Sequence, residues 1–304
     1  MKKQIQWLFV AIMYASMCAC SSEDAIQSSQ VENSSVVSFS FFDATMEEFG
    51  SATRADDTKT ETWKDYFKRL DIAIFPAEDA KMDTVYRFHQ LASDASFGNI
   101  SIRLPFAKYS MVAIASKVTD EVDIHSPELA SFPDSATVND MAYVYKDLDV
   151  KGGSMSANCV LSRAITKLVF SSNDLSNANI SKIVFKYVGK LGASFNPKTG
   201  FGINSDKDNT ISKTFSLKTI DRTKTISFSL FSFIPKETLS INVDFNVYDT
   251  SDKIVKTMHF DDVTLQQNHV TTYTGPMFTS GSTFGFSFDD KPLTKSDYDK
   301  EFGD

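Results

Sequence analysis

The sequence predicts an all-β protein built as two β-sandwich domains, and three observations carry that expectation. Apolar and polar residues alternate in short runs along the chain; Ile241, Val243, Phe245 and Val247 against Asn242, Asp244 and Asn246 is the clearest case. The aromatic content leans towards phenylalanine, with 26 residues, a side chain that suits sheet faces better than helix interiors. No stretch carries an apolar stripe at helical spacing over three turns, and 304 residues suffice for two domains of ordinary size.

Composition narrows the function before any motif does. Hydrophobic residues make up 42% of the chain, enough for real cores. A net charge of −8 with no basic stripe leaves nothing to meet phosphates, which argues against nucleic acid as a partner. Three cysteines do not make a disulfide framework. Cys18 and Cys20 fall in the leader, and Cys159, with no histidine at ligand or triad spacing, reads as a buried structural thiol.

Taken in order, Lys2 and Lys3 followed by an apolar run from Ile5 to Met17 read as a secretory signal, expected over residues 1–19 and short for a bilayer span, with a single uncleaved transmembrane anchor as the alternative. Ala19 before Cys20 resembles a bacterial lipobox, so Cys20 is the expected acylation site; Cys18, preceded by the bulky Met17, is the weaker candidate. Residues 20–35, rich in Ser, Gln, Glu and Asn, read as a lipidated tether. A first domain is expected over 36–157 and a second over 158–304.

Val37, Phe39 and Phe41 alternate with serines as a half-buried strand, which leads into a polar loop carrying Arg54 and Ala55. Apolar runs at Leu70 to Phe75, Ile100 to Leu104 and Tyr109 to Ala115 predict further strands. The region 117–140, with Pro127 and Pro133, reads as a long loop with a helical turn near Ser135 to Met141. Two short strands, Ala142 to Tyr145 and Leu148 to Val150, follow it. The β-branched residues of Val160 to Phe170 predict a crossing strand that closes one β-rich half and opens the other.

In the second half, Ile183, Phe185 and Tyr187 alternate, and Asn196 to Gly200 is a hairpin turn signal. Ile226, Phe228 and Leu230 hand over to Phe231 and Phe233 one residue out of phase, which predicts a bulge. The turn Asp249 to Lys253 leads into a strand from Ile254 to Phe260, and Val263 to Tyr273 supplies two more edges. Phe284, Phe286 and Phe288, alternating with Gly285 and Ser287, form an aromatic strand close to the end of the sequence. Such a strand either packs on its own sheet or is lent to a neighbour as a donor strand.

No catalytic constellation emerges, and no cofactor or metal site is expected. The four histidines, at 89, 125, 259 and 269, make no zinc-ligand pair. No nucleophile elbow and no phosphate-binding loop occurs. Alternation puts His259 and Asp261 on one face, which at a hairpin edge reads as solvated polar residues. Asn204 to Asn209 resembles the start of a calcium loop, but Phe215 stands where the bidentate Glu is needed, so it reads as a polar turn.

Four features together resemble the fimbrillin superfamily of Bacteroidetes (FimA- and Mfa1-like pilins, with FimB/Mfa2-type anchors). They are the lipoprotein leader, Ala52-Thr53-Arg54-Ala55, the central Leu161-Ser162-Arg163-Ala164-Ile165-Thr166-Lys167-Leu168, and the late Gln267-Asn268-His269-Val270-Thr271-Thr272-Tyr273-Thr274-Gly275. The resemblance runs from about residue 36 to 280 and implies transthyretin-like, Greek-key sandwiches, export to the outer membrane as a lipid-anchored precursor, and a cell-surface place in a fimbrium. It also implies cutting after Arg54, so that the mature chain begins at Ala55, and filling of the vacated groove by Phe284, Phe286 and Phe288 of another subunit. The implied partners are other fimbrial subunits, as homo- or hetero-polymer, the membrane lipid, and a host or bacterial surface ligand for adhesion. Two alternatives stay open: an uncut, lipid-retaining anchor or minor subunit, and a surface glycan-binding lipoprotein using Trp63 as its aromatic platform.

Overall fold

The computed structural model describes residues 33–42, 63–78, 83–134, 137–203, 207–279 and 285–292. Cys18, Cys20, Arg54, Ala55 and Phe284 lie outside the described residues; for Phe286 and Phe288 the backbone is described but not the side chains.

The first half holds β1 (Ser34–Ser40), a single helical turn α1 (Trp63–Tyr66), β2 (Arg69–Pro76), β3 (Tyr86–Leu91), β4 (Asn99–Pro105), β5 (Ala107–Ser116), β6 (Asp123–Ser126), β7 (Leu129–Ser131), β8 (Met141–Val150) and β9 (Met155–Asn158). Strands β3-β2-β5-β8 form an antiparallel sheet, and β4-β1-β9 a second, smaller one. β2 and β5 are the inner strands of their sheet, and their near-continuous apolar runs are buried on both faces. The outer β3 shows the looser alternation of an edge. Val37, Phe39, Ile72, Ile74, Leu104, Met111 and Ile114 belong to one buried core.

The second half holds β10 (Thr166–Ser172), β11 (Ile180–Gly189), β12 (Ser194–Phe195), β13 (Asn209–Ser216), β14 (Ser227–Ser232), β15 (Thr238–Asp249), β16 (Ile254–Gln266), β17 (His269–Gly275) and β18 (Gly285–Pro292). Its sheets run β14-β10-β17-β18 and β13-β11-β15-β16. The Phe185 ring is the hub of this core, with ring centroids of Phe245 at 5.2 Å, Phe170 at 5.3 Å and Phe228 at 5.5 Å. The turn at Asn196 closes as the sequence implies: Gly200 takes φ 80° and its N–H donates to Asn196 O at 2.7 Å.

The all-β class expected from the alternation is the class observed, and α1 is the one helix among the described residues. Several finer expectations need correction. The stretch 117–140 is not a long loop, because β6 and β7 pair within it. Ala142 to Tyr145 and Leu148 to Val150 are one strand, β8, since Lys146 and Asp147 continue the ladder with β5 on its open edge. The crossing stretch is extended only from Thr166; before it, Ser162 makes an isolated bridge to Tyr143. Cys159, Leu161, Ala164 and Ile165 line the first core, and Leu168 and Phe170 the second.

The phase slip after Leu230 is not a bulge either, because β14 pairs with β10 in unbroken register from Thr166↔Ser232 to Ser171↔Ser227. Leu230 faces the second core while Phe231 and Phe233 enter the first, so β14 is apolar on both faces where the two cores meet. The short sheet β12-β7-β6 joins the halves there, with Phe195 stacked 4.7 Å from Phe233.

Candidate functional site

The terminal strands form the candidate site, beginning with β1. It lies between β4, antiparallel to it from Ser34↔Pro105 to Ser40↔Asn99, and β9, parallel to it from Val37↔Met155 to Ser40↔Asn158. Its period of two sends Ser35, Val37 and Phe39 inward, all buried, and Phe41 just beyond its end is buried as well. Ser35 Oγ donates to Lys151 O at 2.5 Å, and outward-facing Ser38 meets the Ser101 hydroxyl at 2.8 Å. Each buried phenylalanine stabilises the docked strand by roughly 1.5–3 kcal/mol.

Beyond residues 43–62, the chain is fastened by a polar cluster, while Phe67 there also stacks on Phe42 with ring centroids 6.3 Å apart. Arg163 donates through two nitrogens to the Asp140 carboxylate at 3.0 Å each, and the Tyr66 hydroxyl donates to the same carboxylate at 2.6 Å. The Arg163 guanidinium also lies 4.8 Å from the Trp63 ring centroid, and Trp63 stacks on Phe67 at 5.5 Å. The ring that a sugar platform would use is therefore already packed on its own protein.

At the other end, β18 pairs with β17, with Tyr273↔Phe286 and Thr271↔Phe288 opposite one another, and among the described residues it forms the edge of its sheet. Its root is pinned. The Asp174 carboxylate accepts from the backbone N–H of Met277, Phe278 and Thr279 at 2.7–2.8 Å and from the Thr279 hydroxyl at 2.9 Å. Lys256 Nζ donates to Pro276 O at 2.6 Å and Thr279 O at 2.7 Å. Partial burial pushes the Asp174 pKa up, but the hydrogen bonds from Phe278, Met277 and Thr279 together outweigh it and hold the carboxyl below its ordinary range.

Sequence reasoning missed Asp174, Lys256, Asp140 and the role of Arg163. Asp174 and the groups that donate to it are about a hundred residues apart in the chain, so no local spacing could reveal the pair. The central and late motifs do meet, as parallel neighbours β10 and β17, from Lys167↔Val270 to Ser172↔Gly275.

The remaining polar candidates bond within the fold where they are described; of the turn Asn204 to Asn209, residues 204–206 lie outside the described residues. His259 bonds Asp244 through Nδ1 and Asp261 through Nε2 on the exposed β15–β16 face, and those hydrogen bonds, Asp244's first, raise its pKa. Asn209 gives its side chain to the Leu191 backbone, and Phe215 packs against the second core. The Cys159 thiol is buried and pushed up to about 11 by desolvation, which keeps it protonated and unreactive. Among the described residues no group of three or more His, Cys, Asp or Glu side chains could hold a metal ion, and no helix is long and apolar enough to cross a membrane.

Three solved structures illustrate what the fold is similar to. A candidate adhesin from Bacteroides ovatus shares 12% identity over 81% of this chain and 88% of its own, at a TM-score of 0.49. The fimbrial anchor protein Mfa2 from Porphyromonas gingivalis shares 11% over 83% and 95%, at 0.45. The tip fimbrial protein Mfa3 from Porphyromonas gingivalis, with a C-terminal truncation, shares 8% over 84% and 98%, at 0.39. Likenesses this distant carry over neither partner nor ligand. No curated protein matches the chain. One family profile does, over residues 28–292, and the chain belongs to that family, the family of unknown function DUF6562.

Proposed function

We propose that this protein is a non-enzymatic fimbrial subunit of the bacterial surface that joins other subunits by exchanging a β-strand. The observation that carries the reading is the place of β1. It is the first strand described, yet it is the middle strand of its sheet, bonded on both sides, and it reaches the rest of the chain through a connector that contains Arg54. In this reading Cys20 is acylated and holds the precursor at the outer membrane. A protease then hydrolyses the Arg54–Ala55 peptide bond, and β1 is left held by non-covalent contacts alone.

Departure of β1 would bare the facing edges of β4 and β9 and the apolar places of Val37, Phe39 and Phe41. Unpaired ladder groups beside apolar slots are a template for an incoming strand. The aromatic strand carrying Phe284, Phe286 and Phe288 supplies one, since three phenylalanines bury more apolar surface than the Val-Phe-Phe set they replace. The Arg163–Asp140–Trp63 cluster holds the chain beyond the cut, so the body need not unravel when β1 goes.

N-terminal sequencing of the protein released from the cell surface tests the reading. A mature chain beginning at Ala55 is expected. Recovery of the acylated Cys20 form alone would overturn the shaft-subunit reading in favour of a lipid-retaining anchor.

A further inference from the structure

We propose that the two halves of the chain fold in a fixed order: the second folds by itself, and the first folds only on the face that the second presents to it. This order involves no second copy of the chain and is independent of the strand-exchange reading.

The two cores are closed differently. Every buried member of the second core lies at or beyond Leu168, so among the described residues the second half fills its own interior. The first core borrows. Besides the strands of its own half it takes Leu161, Ala164 and Ile165 from the crossing stretch, and Phe195, Phe231, Phe233 and Val270 from the second half. All of these side chains are buried. The phenylalanines among them are a large share of what holds a domain of this size together, since folded domains are only marginally stable. Alone, the second half would expose four apolar side chains, Phe195, Phe231, Phe233 and Val270, but keep its own core whole.

The backbone repeats the asymmetry. Among the described residues, β12 is the strand that crosses between the halves. It adds to β7, with Ser194↔Ser131 and Phe195↔Ala130 opposite one another, and Phe132 N–H donates to Ala193 O at 2.8 Å. Without β12, β7 is left as an open edge, and the Tyr143 ring loses Phe195, whose centroid is 5.3 Å away.

The hairpin that carries β12 is built by contacts of its own half. Asn196 N–H donates to Phe201 O at 2.8 Å, and Gly202 N–H to Ile234 O at 2.8 Å. Gln267 Nε2 donates to Gly200 O at 2.7 Å and ties the hairpin's tip to the turn before β17. A Cβ on Gly200 would stand 2.4 Å from the Tyr143 hydroxyl, so the tip and β8 meet without a gap. The docking arm is thus set by the half that carries it, ready for the half it docks on. The half made first waits for the half made last, the reverse of the usual N-terminal-first order.

Hydrogen exchange of the intact, purified chain in sub-denaturing urea, read by mass spectrometry for each half, tests the order. An amide exchanges through the least costly opening that exposes it. If the first half opens alone but the second only after it, every opening includes the first half. Weakening the first core then speeds exchange everywhere, whereas weakening the second core speeds it only in the second half. Ile72→Val, in the first core, is expected to speed the slowest amides of β2, β5, β11 and β15 alike, by roughly fivefold. Phe185→Leu, in the second core, is expected to speed β11 and β15 and leave β2 and β5 unchanged. Phe195→Leu should act as Ile72→Val does, although it lies in the second half.

Ile72→Val acting on β2 and β5 alone would overturn the proposal in favour of halves that open independently. Phe185→Leu acting on all four strands would overturn it too. The chain is then a single cooperative body if Ile72→Val does the same, and folds in the opposite order if it does not. Phe195→Leu acting on β11 and β15 alone would overturn the hairpin's part as the docking arm.

Discussion

Arg163 and Asp140 form a two-pronged ion pair whose side chains are 3% and 0% exposed, directly beneath the Trp63 ring. The pair joins the start of β10's crossing stretch to the residue just before β8, and through the Tyr66 hydroxyl it reaches α1. A buried charge pair adds little net stability over an apolar pair, but losing one partner strands the other.

Arg163→Met should therefore destabilise the fold by about 3–5 kcal/mol, because Asp140 is left charged and out of water. The double variant Arg163→Met with Asp140→Leu should recover most of that loss. Urea unfolding of the three proteins checks it, with a double variant no better than the single one counting against the account.

Asp174 should make the root of the last strand sensitive to acid. Its folded pKa is depressed, so its contribution is complete above the unfolded value of about 3.9 and fades as pH falls through the folded one. Asp174→Asn should cost about 1.5–3 kcal/mol at neutral pH, from lost charge-assisted hydrogen bonds. The gap between wild type and variant should close in strong acid, as read from melting curves at several pH values.

His259 works in the opposite direction. Its folded pKa is raised by Asp244 and Asp261, so the cross-strand contribution is complete below the unfolded value of about 6.5 and is lost as pH rises through the folded one. His259→Gln should narrow its deficit against wild type as pH rises above neutrality. A difference in denaturation midpoint that stays constant across that range would remove the histidine from the account.

Tyr187 is wholly buried against Phe185, and its hydroxyl has no hydrogen-bond partner among the described residues. Removing that oxygen should cost nothing and gain up to about 1 kcal/mol. A clear loss of stability in Tyr187→Phe would point to a partner for the hydroxyl.

The legibility of the chain followed the range of each interaction. Alternation at Ile241 to Val247 and at Val37 to Phe41 reports one buried face locally, and both strands are present where it places them. The signal misled where a strand faces two cores, as at Leu230 to Phe233, because apolar residues on both faces erase the period that a single core imposes. It also misled in β8, where polar residues on an open edge mimic a break. The Arg163–Asp140 and Asp174–Met277 contacts were invisible because each joins segments brought together only by the finished sheets.

The central claim is that a strand from the tail joins one subunit to the next. Truncating the chain after Thr279, in cells that otherwise assemble filaments from it, tests this most directly. Electron microscopy should find no filaments, while the purified truncated body still melts cooperatively. Filaments of normal number and length without the tail would contradict the account.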